Sequence, residues 1–264
     1  MTKPEFDDLS TAASLIQLAY SAKTTTDRAR VAVTLNAQRW RGLEWFGDPS
    51  GRGVQFFTAR LGDVLWVPIP GTNHSDDWKD YNLKPGCVTP LGVRGVFREG
   101  FDIAAWDAWK MLLERDFLDL VRFGSKRVIL VGHSLAGPIV GGLAARLKGV
   151  LAYSDRQKVT PITLASPRFC DGEAVVELER FFPSARRYRL GADLVPDLVA
   201  GWPAPWRHVW PLVTLQADAT TSTKYPRAKE LWRAMRRPKL NLVSDHGISE
   251  WVDWCAMRKR TRYA

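Results

Sequence analysis

One stretch of the chain, residues 126–147, combines features that few folds can accommodate. It opens with Lys126 and Arg127, and the apolar, mostly β-branched run Val128-Ile129-Leu130-Val131 then predicts a short buried strand. This run leads directly into Gly132-His133-Ser134-Leu135-Ala136, and the residues that follow are small and apolar. Such residues form helices that pack closely on a sheet. The stretch therefore predicts a strand, a very tight turn and a helix, which is typical of an α/β fold.

Ser134 stands at the centre of this turn. A turn this tight needs small residues two positions before and after the serine, and Gly132 precedes it while Ala136 and Gly137 follow. The pattern is thus Gly-x-Ser-x-Ala with a glycine one position later, rather than Gly-x-Ser-x-Gly. Strand, turn and helix together form the context of a nucleophile elbow, which exposes a serine hydroxyl for attack. The alternative is an incidental serine in an ordinary loop, and the flanking elements favour the nucleophile.

Helices and strands alternate along the rest of the chain. This alternation favours a mostly parallel central sheet with helices on both faces, and the absence of repeats and linkers indicates a single domain over residues 1–264. We expect a strand and turn within residues 93–101. The helices are expected at residues 6–20, 28–45, 102–123, 173–182, 230–237 and 248–257. The further strands are expected at residues 54–60, 63–70, 160–165, 185–190 and, at an edge of the sheet, 209–215.

Charge and cysteine content narrow the classes of protein to consider. The formal net charge is +10, and seven Lys or Arg residues fall between Lys224 and Lys239. A solvated basic face is the simpler explanation, an anionic lipid surface is the alternative, and no motif indicates a nucleic-acid partner. Three widely spaced cysteines favour free, buried thiols without a structural metal site, and we expect no cofactor. No apolar run typical of a signal peptide occurs near the N-terminus, so the cytoplasm is the expected location, with secretion by another route as the alternative.

A serine nucleophile needs a histidine base, which a carboxylate holds in place. In α/β-hydrolases the acid and then the histidine follow the serine along the chain. Of the four histidines, His74 precedes the serine and His133 adjoins it, so that its ring is expected to point elsewhere. His208 leads into the expected edge strand, where a structural role is the simpler interpretation. His246 follows a strand-like run at a position from which its ring can reach the serine, and we expect it to be the base.

Asp193 is the preferred acid. It comes just after the strand expected at residues 185–190, and catalytic groups in open sheets lie at the carboxyl ends of strands. Asp197 and Asp171 are rivals. Asp245 adjoins His246, and adjacent side chains rarely converge in a triad.

The strands expected at residues 54–60 and 63–70 are separated only by Leu61-Gly62 and its neighbours, which predicts a hairpin. Pro70-Gly71-Thr72 lies at the end of its second strand. A strand that ends in this way can offer a backbone N–H and a hydroxyl to a developing negative charge. On these residues alone, a plain turn is the favoured alternative.

Seven short motifs, in this order along the chain, resemble the class 3 lipase family, the fungal-type triacylglycerol lipases. The resemblance implies an α/β-hydrolase fold with Ser134, Asp193 and His246 as the triad. Pro70 stands where the family usually has an arginine, and Arg98 stands where it usually has a histidine. The motifs are Pro70-Gly71-Thr72 with Asp77-Trp78 and Asp80, Glu99-Gly100-Phe101, Gly132-His133-Ser134-Leu135-Ala136-Gly137, Ala165-Ser166-Pro167-Arg168, Asp193-Leu194-Val195-Pro196, Trp206-Arg207-His208-Val209 and Asp245-His246.

The resemblance also assigns roles around the serine. It implies that the backbone N–H groups of Thr72 and Leu135 form the oxyanion hole, with the Thr72 hydroxyl as a further donor. It implies a lid within residues 73–90. The lid candidates are Trp78 and Tyr81, the only large apolar residues between Asn73 and Tyr81. This segment is mostly polar, which argues against strong interfacial activation.

The sequence as a whole predicts a serine carboxylic ester hydrolase that cleaves acylglycerols or similar fatty acyl esters. A phospholipase A1 acting on anionic lipid surfaces is an alternative, because the C-terminal third is basic. A non-catalytic, basic lipid-binding module on a hydrolase fold is the alternative of a different class. The expected partners are a lipid or small ester substrate and an anionic membrane or lipid-droplet surface.

Overall fold

The computed structural model describes residues 1–48, 53–71, 86–191, 193, 195–197, 206–216, 221–222 and 247–263. Within these ranges, none of the helices combines the length and apolar character needed to cross a bilayer. The helix predicted at residues 230–237 lies outside the described residues.

A central sheet with eight described strands organises the chain. Its strands are Arg41–Phe46 (β1), Phe56–Leu61 (β2), Val64–Ile69 (β3), Arg127–His133 (β6), Val159–Leu164 (β7), Arg186–Leu190 (β8), Leu212–Leu215 (β9) and Thr221–Ser222 (β10), and a separate two-stranded ribbon contains Cys87–Val88 (β4) and Phe97–Arg98 (β5). The order across the sheet is β1-β2-β3-β6-β7-β8-β9-β10. The five strands from β3 to β9 are parallel, whereas β1, β2 and β10 pair antiparallel. The predicted mostly parallel sheet is confirmed.

The longer helices are Lys3–Ser21 (α1), Thr25–Ala37 (α2), Glu99–Leu113 (α3), Ala136–Val150 (α4), Gly172–Phe181 (α5) and Ile248–Tyr263 (α6). Thr2 and Glu5 form a capping box at the start of α1, which satisfies backbone donors that the first helical turn leaves open.

The helices cover both faces of the sheet, as predicted. Side chains alternate along β6, so Val128 and Leu130 face one apolar cluster while Ile129 and Val131 face another. The first cluster contains buried residues of α3, α4 and α5. The second contains buried residues of α1, α2 and α6. Because both faces are buried, β6 is a continuous apolar run, as central parallel strands usually are.

The helix predicted at residues 28–45 is wrong in its C-terminal part. α2 ends at Ala37, and after Arg39, which has a φ of 66°, the chain continues as β1. Phe46 of β1 stacks on Phe56 of β2 with ring centroids 4.5 Å apart. Such cross-strand aromatic pairs stabilise the strand conformation. They therefore favour a strand here, although the apolar spacing of these residues also suits a helix.

The helix predicted at residues 102–123 begins earlier and is interrupted. It starts at Glu99 and ends at Leu113, since Asp116 adopts a φ of 53° and short helical turns follow. Of the strand and turn expected at residues 93–101, only β5 forms a strand, because the helix already begins at Glu99.

Two smaller predictions are also corrected. The strand predicted at residues 209–215 is not an edge strand, because β9 pairs with β8 on one side and β10 on the other. All three thiols are free, and Cys170 and Cys255 are buried as expected, but Cys87 is exposed.

A charged cluster anchors the loop after β8 to the sheet. Asp197, in this loop, accepts hydrogen bonds from Arg189 Nη1 at 2.7 Å and from Arg168 Nη2 at 3.4 Å. Arg189 lies in β8 and is fully buried. The Nε2 atom of His208 lies 3.9 Å from Asp197 Oδ1. The same loop carries Asp193, so this cluster helps to fix where that carboxylate lies.

Asp197 and His208, the two members of this cluster that titrate below pH 7, both have lowered pKa values. Burial is the main reason why the pKa of His208 falls to about 4, and the charges of Arg187 and Arg168 add to it, while Asp197 opposes the shift. Burial by itself raises the pKa of Asp197, but His208 and Arg189 outweigh it and lower this pKa to about 2.

We expect the free energy of unfolding to fall as the pH falls from 6.5 to 4. In this window the unfolded chain protonates His208 while the folded chain keeps it neutral, so protons favour the unfolded state. The contribution of His208 to this loss should be about 1–3 kcal/mol. Protonation of Asp197 should add a further loss between pH 3.8 and about 2.

Urea unfolding at pH 7, 5.5 and 4.5 measures this effect. The variant His208→Gln cannot take up the proton, so its stability should depend less steeply on pH than that of the wild type. Equal slopes for the two proteins would contradict the assignment.

Candidate active site

Ser134 occupies a strained turn between β6 and α4. β6 ends at His133, α4 begins at Ala136, and Ser134 adopts a φ of 56°, which is uncommon for a residue with a side chain. The Ser134 N–H donates to Leu164 O at 2.9 Å, and Gly137 N–H donates to Ser134 O at 2.9 Å. This backbone conformation is that of a nucleophile elbow.

Two glycines make the turn sterically feasible. A Cβ atom at Gly132 would overlap the carbonyl of Ala136, because the helix folds back directly over the end of β6. A Cβ atom at Gly137 would overlap the side chain of Ser166, which follows β7. The small residues that flank the serine in sequence are therefore required by the close approach of strand, helix and neighbouring loop.

The N-terminus of α4 lies immediately beside the serine. Leu135 is the N-cap residue of this fifteen-residue helix and has φ and ψ of −51° and −34°. The first N–H groups of a helix have no acceptor within it, and the helix dipole adds positive potential there. Leu135, predicted as an oxyanion donor, thus lies where a negative charge would be stabilised.

The end of β3 lies against the serine from the other side. β3 and β6 are parallel neighbours, with Ile69 opposite Gly132. A Cβ atom at Gly71 would lie only 2.9 Å from Ser134 Cβ and 2.7 Å from His133 O. The structure therefore brings the predicted oxyanion segment to the elbow as far as Gly71. Thr72, and the lid candidates Trp78 and Tyr81, lie outside the described residues.

A tyrosine that was not predicted from the sequence connects these two segments. The Tyr20 hydroxyl accepts a hydrogen bond from Gly71 N–H at 2.7 Å and lies 2.9 Å from His133 Nδ1. Burial raises the pKa of Tyr20 well above its ordinary value, so its hydroxyl stays protonated. Its position on the apolar face of the predicted first helix was a usable signal, because buried tyrosine hydroxyls need polar partners.

The ring of His133 lies in a closely packed environment. It is 3% exposed and packs edge-on against Tyr20 and Trp251, with centroid distances of 5.7 and 6.4 Å. Trp251 belongs to α6 and is fully buried. The His133 ring therefore lies between the first and last helices of the chain.

Asp193 lies just beyond β8. It is fully buried, its Oδ1 accepts a hydrogen bond from Val195 N–H at 2.9 Å, and its own N–H donates to Leu190 O at 3.1 Å. Because β6, β7 and β8 are parallel neighbours, Ser134 and Asp193 both follow strand ends at the same edge of the sheet. His246, the preferred base, lies outside the described residues.

The rival acids have structural roles. Asp171 is the N-cap of α5 and accepts a hydrogen bond from Ala174 N–H at 2.9 Å. Asp197 holds Arg168 and Arg189 in the charged cluster.

The rival base His208 lines a separate cavity of about 620 Å³ together with Arg168 and Arg187. The described residues that line this cavity include no residue of the elbow. This placement agrees with the structural role expected for His208.

Comparisons with known proteins give matches among solved structures. No family model and no curated protein sequence matches the chain. The triacylglyceride lipase of Rhizomucor miehei is 18% identical, with a TM-score of 0.66 over 93% of this chain and 94% of that one. Lip2 lipase from Yarrowia lipolytica is 12% identical, with a TM-score of 0.63 over 83% and 81%. A triacylglycerol lipase from Penicillium expansum is 16% identical, with a TM-score of 0.58 over 82% of each chain.

A further solved structure is described as a triacylglycerol lipase whose catalytic centre is a serine protease triad. It is 18% identical, with a TM-score of 0.64 over 93% of this chain and 94% of that one. Because the sequence identities are this low, these matches establish the fold and nothing beyond it. The chain has the α/β-hydrolase fold found in fungal triacylglycerol lipases, and the resemblance inferred from its motifs is confirmed at that level.

Proposed function

We propose that the protein is a serine carboxylic ester hydrolase. The observation that carries this proposal is the conformation of Ser134, which is held at a φ of 56° between a buried strand and a helix N-terminus. A strained backbone at such a position costs on the order of 1–3 kcal/mol and is usually retained at functional sites. Gly71 lies close enough to the serine for the next residue to contribute to an oxyanion hole.

The proposed reaction has two steps. His246 takes the proton of the Ser134 hydroxyl as its oxygen attacks the ester carbonyl, and Asp193 orients the imidazole and stabilises its positive charge. The N–H groups of Thr72 and Leu135 hold the oxyanion. His246 then gives the proton to the departing alcohol, which leaves an acyl group on Ser134. In the second step His246 deprotonates a water molecule, whose oxygen attacks the acyl-enzyme carbonyl. His246 then returns this proton to the Ser134 oxygen as the acid is released.

Several independent features support this assignment of roles. Asp193 is fully buried beyond β8 and on the same sheet edge as the serine. The order Ser134, Asp193, His246 is that of α/β-hydrolases. One similar structure is described as a triacylglycerol lipase with a serine protease triad.

Acylglycerols are the proposed substrates within the esters. Three of the similar structures are described as triacylglyceride or triacylglycerol lipases. The motif resemblance further implies a lid within residues 73–90. The net charge of +10 keeps phospholipase A1 as the alternative, since basic residues attract anionic headgroups.

The variant Ser134→Ala should lose activity on p-nitrophenyl butyrate by about 10⁴-fold or more, because the nucleophile is removed. Initial rates with purified protein measure this. The matched control Ser14→Ala removes an exposed hydroxyl of α1 and should retain the wild-type rate. A Ser134→Ala variant that turns over the ester like the wild type would overturn the hydrolase assignment and favour the non-catalytic lipid-binding module.

The variants His246→Ala and His208→Ala separate the two candidate bases. Loss of His246 should reduce kcat by about 10³-fold or more, since the general base is removed, whereas loss of His208 should leave kcat within about tenfold of the wild type. Comparison of the two kcat values at pH 8 tests this, with circular dichroism to verify that both variants are folded. Inactivation by the His208 change alone would show that the base is misassigned.

A substrate panel distinguishes the two lipid classes. We expect faster hydrolysis of dispersed tributyrin and triolein than of the sn-1 ester of phosphatidylglycerol in vesicles at 0.5 M NaCl, where electrostatic attraction is screened. Preference for the phospholipid at high salt would replace the acylglycerol assignment with phospholipase A1.

A further inference from the structure

Tyr20 makes two polar contacts with segments that are far from it in sequence. Its ring comes from the last turn of α1, and its hydroxyl reaches 51 residues along the chain to Gly71 N–H and 113 residues to His133 Nδ1. Gly71 immediately precedes the proposed oxyanion donor Thr72, and His133 immediately precedes the proposed nucleophile Ser134. One hydroxyl therefore bridges the two segments that must act on the same substrate carbonyl.

Tyr20 joins the two segments through one oxygen. The Tyr20 oxygen accepts from Gly71 N–H, because that group can only donate. Its contact with His133 Nδ1 is a hydrogen bond in either tautomer of the ring, since a hydroxyl donates to an unprotonated nitrogen and accepts from a protonated one. In both cases the same hydroxyl links Gly71 to His133.

The geometry around Gly71 leaves little freedom for the two segments to separate or slide. A Cβ atom at Gly71 would lie 2.6 Å from the Tyr20 hydroxyl, 2.7 Å from His133 O and 2.9 Å from Ser134 Cβ. The tyrosine hydroxyl, the elbow and the backbone of Gly71 are therefore packed against one another. Small movements of any one of them change the distance between Ser134 and the backbone of Gly71.

The His133 ring extends the same contact to the third proposed catalytic segment. It packs edge-on against Trp251 at 6.4 Å, and α6, which carries Trp251, begins two residues after His246. Both α1 and α6 contribute to the apolar cluster that covers this face of the sheet. Tyr20 and His133 thus lie where the nucleophile, the oxyanion segment and the helix after the base meet.

We propose that Tyr20 is a positioning residue that holds the oxyanion segment in register with the nucleophile through its hydrogen bonds to Gly71 and His133. This inference rests on the proposed function. Without the hydroxyl, Gly71 N–H and His133 Nδ1 lose their common partner, and the backbone at Gly71, which leads into the proposed oxyanion donor, loses its hydrogen-bonded connection to the elbow. A displaced oxyanion donor weakens the stabilisation of the transition state more than it weakens substrate binding. We therefore expect kcat to fall while KM changes little.

Steady-state kinetics on the soluble ester p-nitrophenyl butyrate test this proposal with the variant Tyr20→Phe. We expect kcat to fall by about tenfold to a hundredfold and KM to change by less than about threefold. The matched control is Tyr188→Phe. Tyr188 is 2% exposed in the same apolar cluster but belongs to β8, and its variant should keep the wild-type kcat. Thermal unfolding midpoints of both variants accompany the kinetics.

The outcomes separate this inference from the proposed function. If the wild type hydrolyses no ester, the proposed function fails, and the positioning role fails with it. If the wild type is active and Tyr20→Phe retains its kcat, only the positioning role is overturned. Equal losses of kcat in Tyr20→Phe and Tyr188→Phe would also overturn it, because the tyrosines would then act only through packing. A rise in KM at constant kcat would overturn it in favour of a role in substrate binding.

A second pair of variants decides the matter if Tyr20→Phe does not fold. His133→Asn keeps an amide, which can donate or accept a hydrogen bond, close to the position of Nδ1, whereas His133→Leu removes it. The asparagine variant should retain at least about tenfold more kcat than the leucine variant. Equal kcat values for the two would overturn the bridge.

Discussion

The close approach of β6, α4 and the loop after β7 is the steric constraint on which the rest of the site depends. There is no room for a Cβ atom at Gly132 or Gly137, and the backbone between them takes Ser134 into the left-handed region. Such a conformation costs on the order of 1–3 kcal/mol. Backbone hydrogen bonds from Ser134 N–H to Leu164 O and from Gly137 N–H to Ser134 O offset part of this cost. The result is a hydroxyl at the tip of a rigid bend, next to a helix N-terminus.

The two layers of helices contribute differently to the site. On one face, α4 supplies the helix N-terminus beside the serine, and its glycines let it lie close to the loop after β7 and to α3. On the other face, α1 and α6 meet around the His133 ring. The first and last helices are therefore part of the structural support of the active site as well as of the core. Packing of this kind aligns segments that are far apart in sequence. Disulfide bonds do not contribute to this alignment, because all three cysteines are free.

The sequence was sufficient for features that follow from local sterics and periodicity. The elbow, the hairpin of β2 and β3 and the parallel sheet were predicted, because small residues around Ser134 and apolar alternation are compatible with few other structures. The helix predicted at residues 28–45 is wrong in its C-terminal part because the helical spacing of apolar residues continues into β1. The aromatic contact that favours a strand there is made with β2, which lies outside this segment. Tyr20 was missed for a similar reason: its hydroxyl contacts Gly71 and His133, which no local pattern connects to α1. Asp193 stays a prediction, while Asp171 caps α5 and Asp197 pairs with Arg168 and Arg189. The ion pairs of Asp197 join segments that no local pattern connects.

The central claim is that the hydroxyl of Ser134 is activated by its surroundings. Mass spectrometry of the protein after reaction with a fluorophosphonate probe tests this most directly, because such probes modify serine oxygens only when a base and an oxyanion site assist the attack. The predicted result is a single adduct on the peptide that contains Ser134, formed in the native protein and absent after heat denaturation. No adduct at Ser134 in the native, folded protein, or equal labelling before and after denaturation, would contradict the claim.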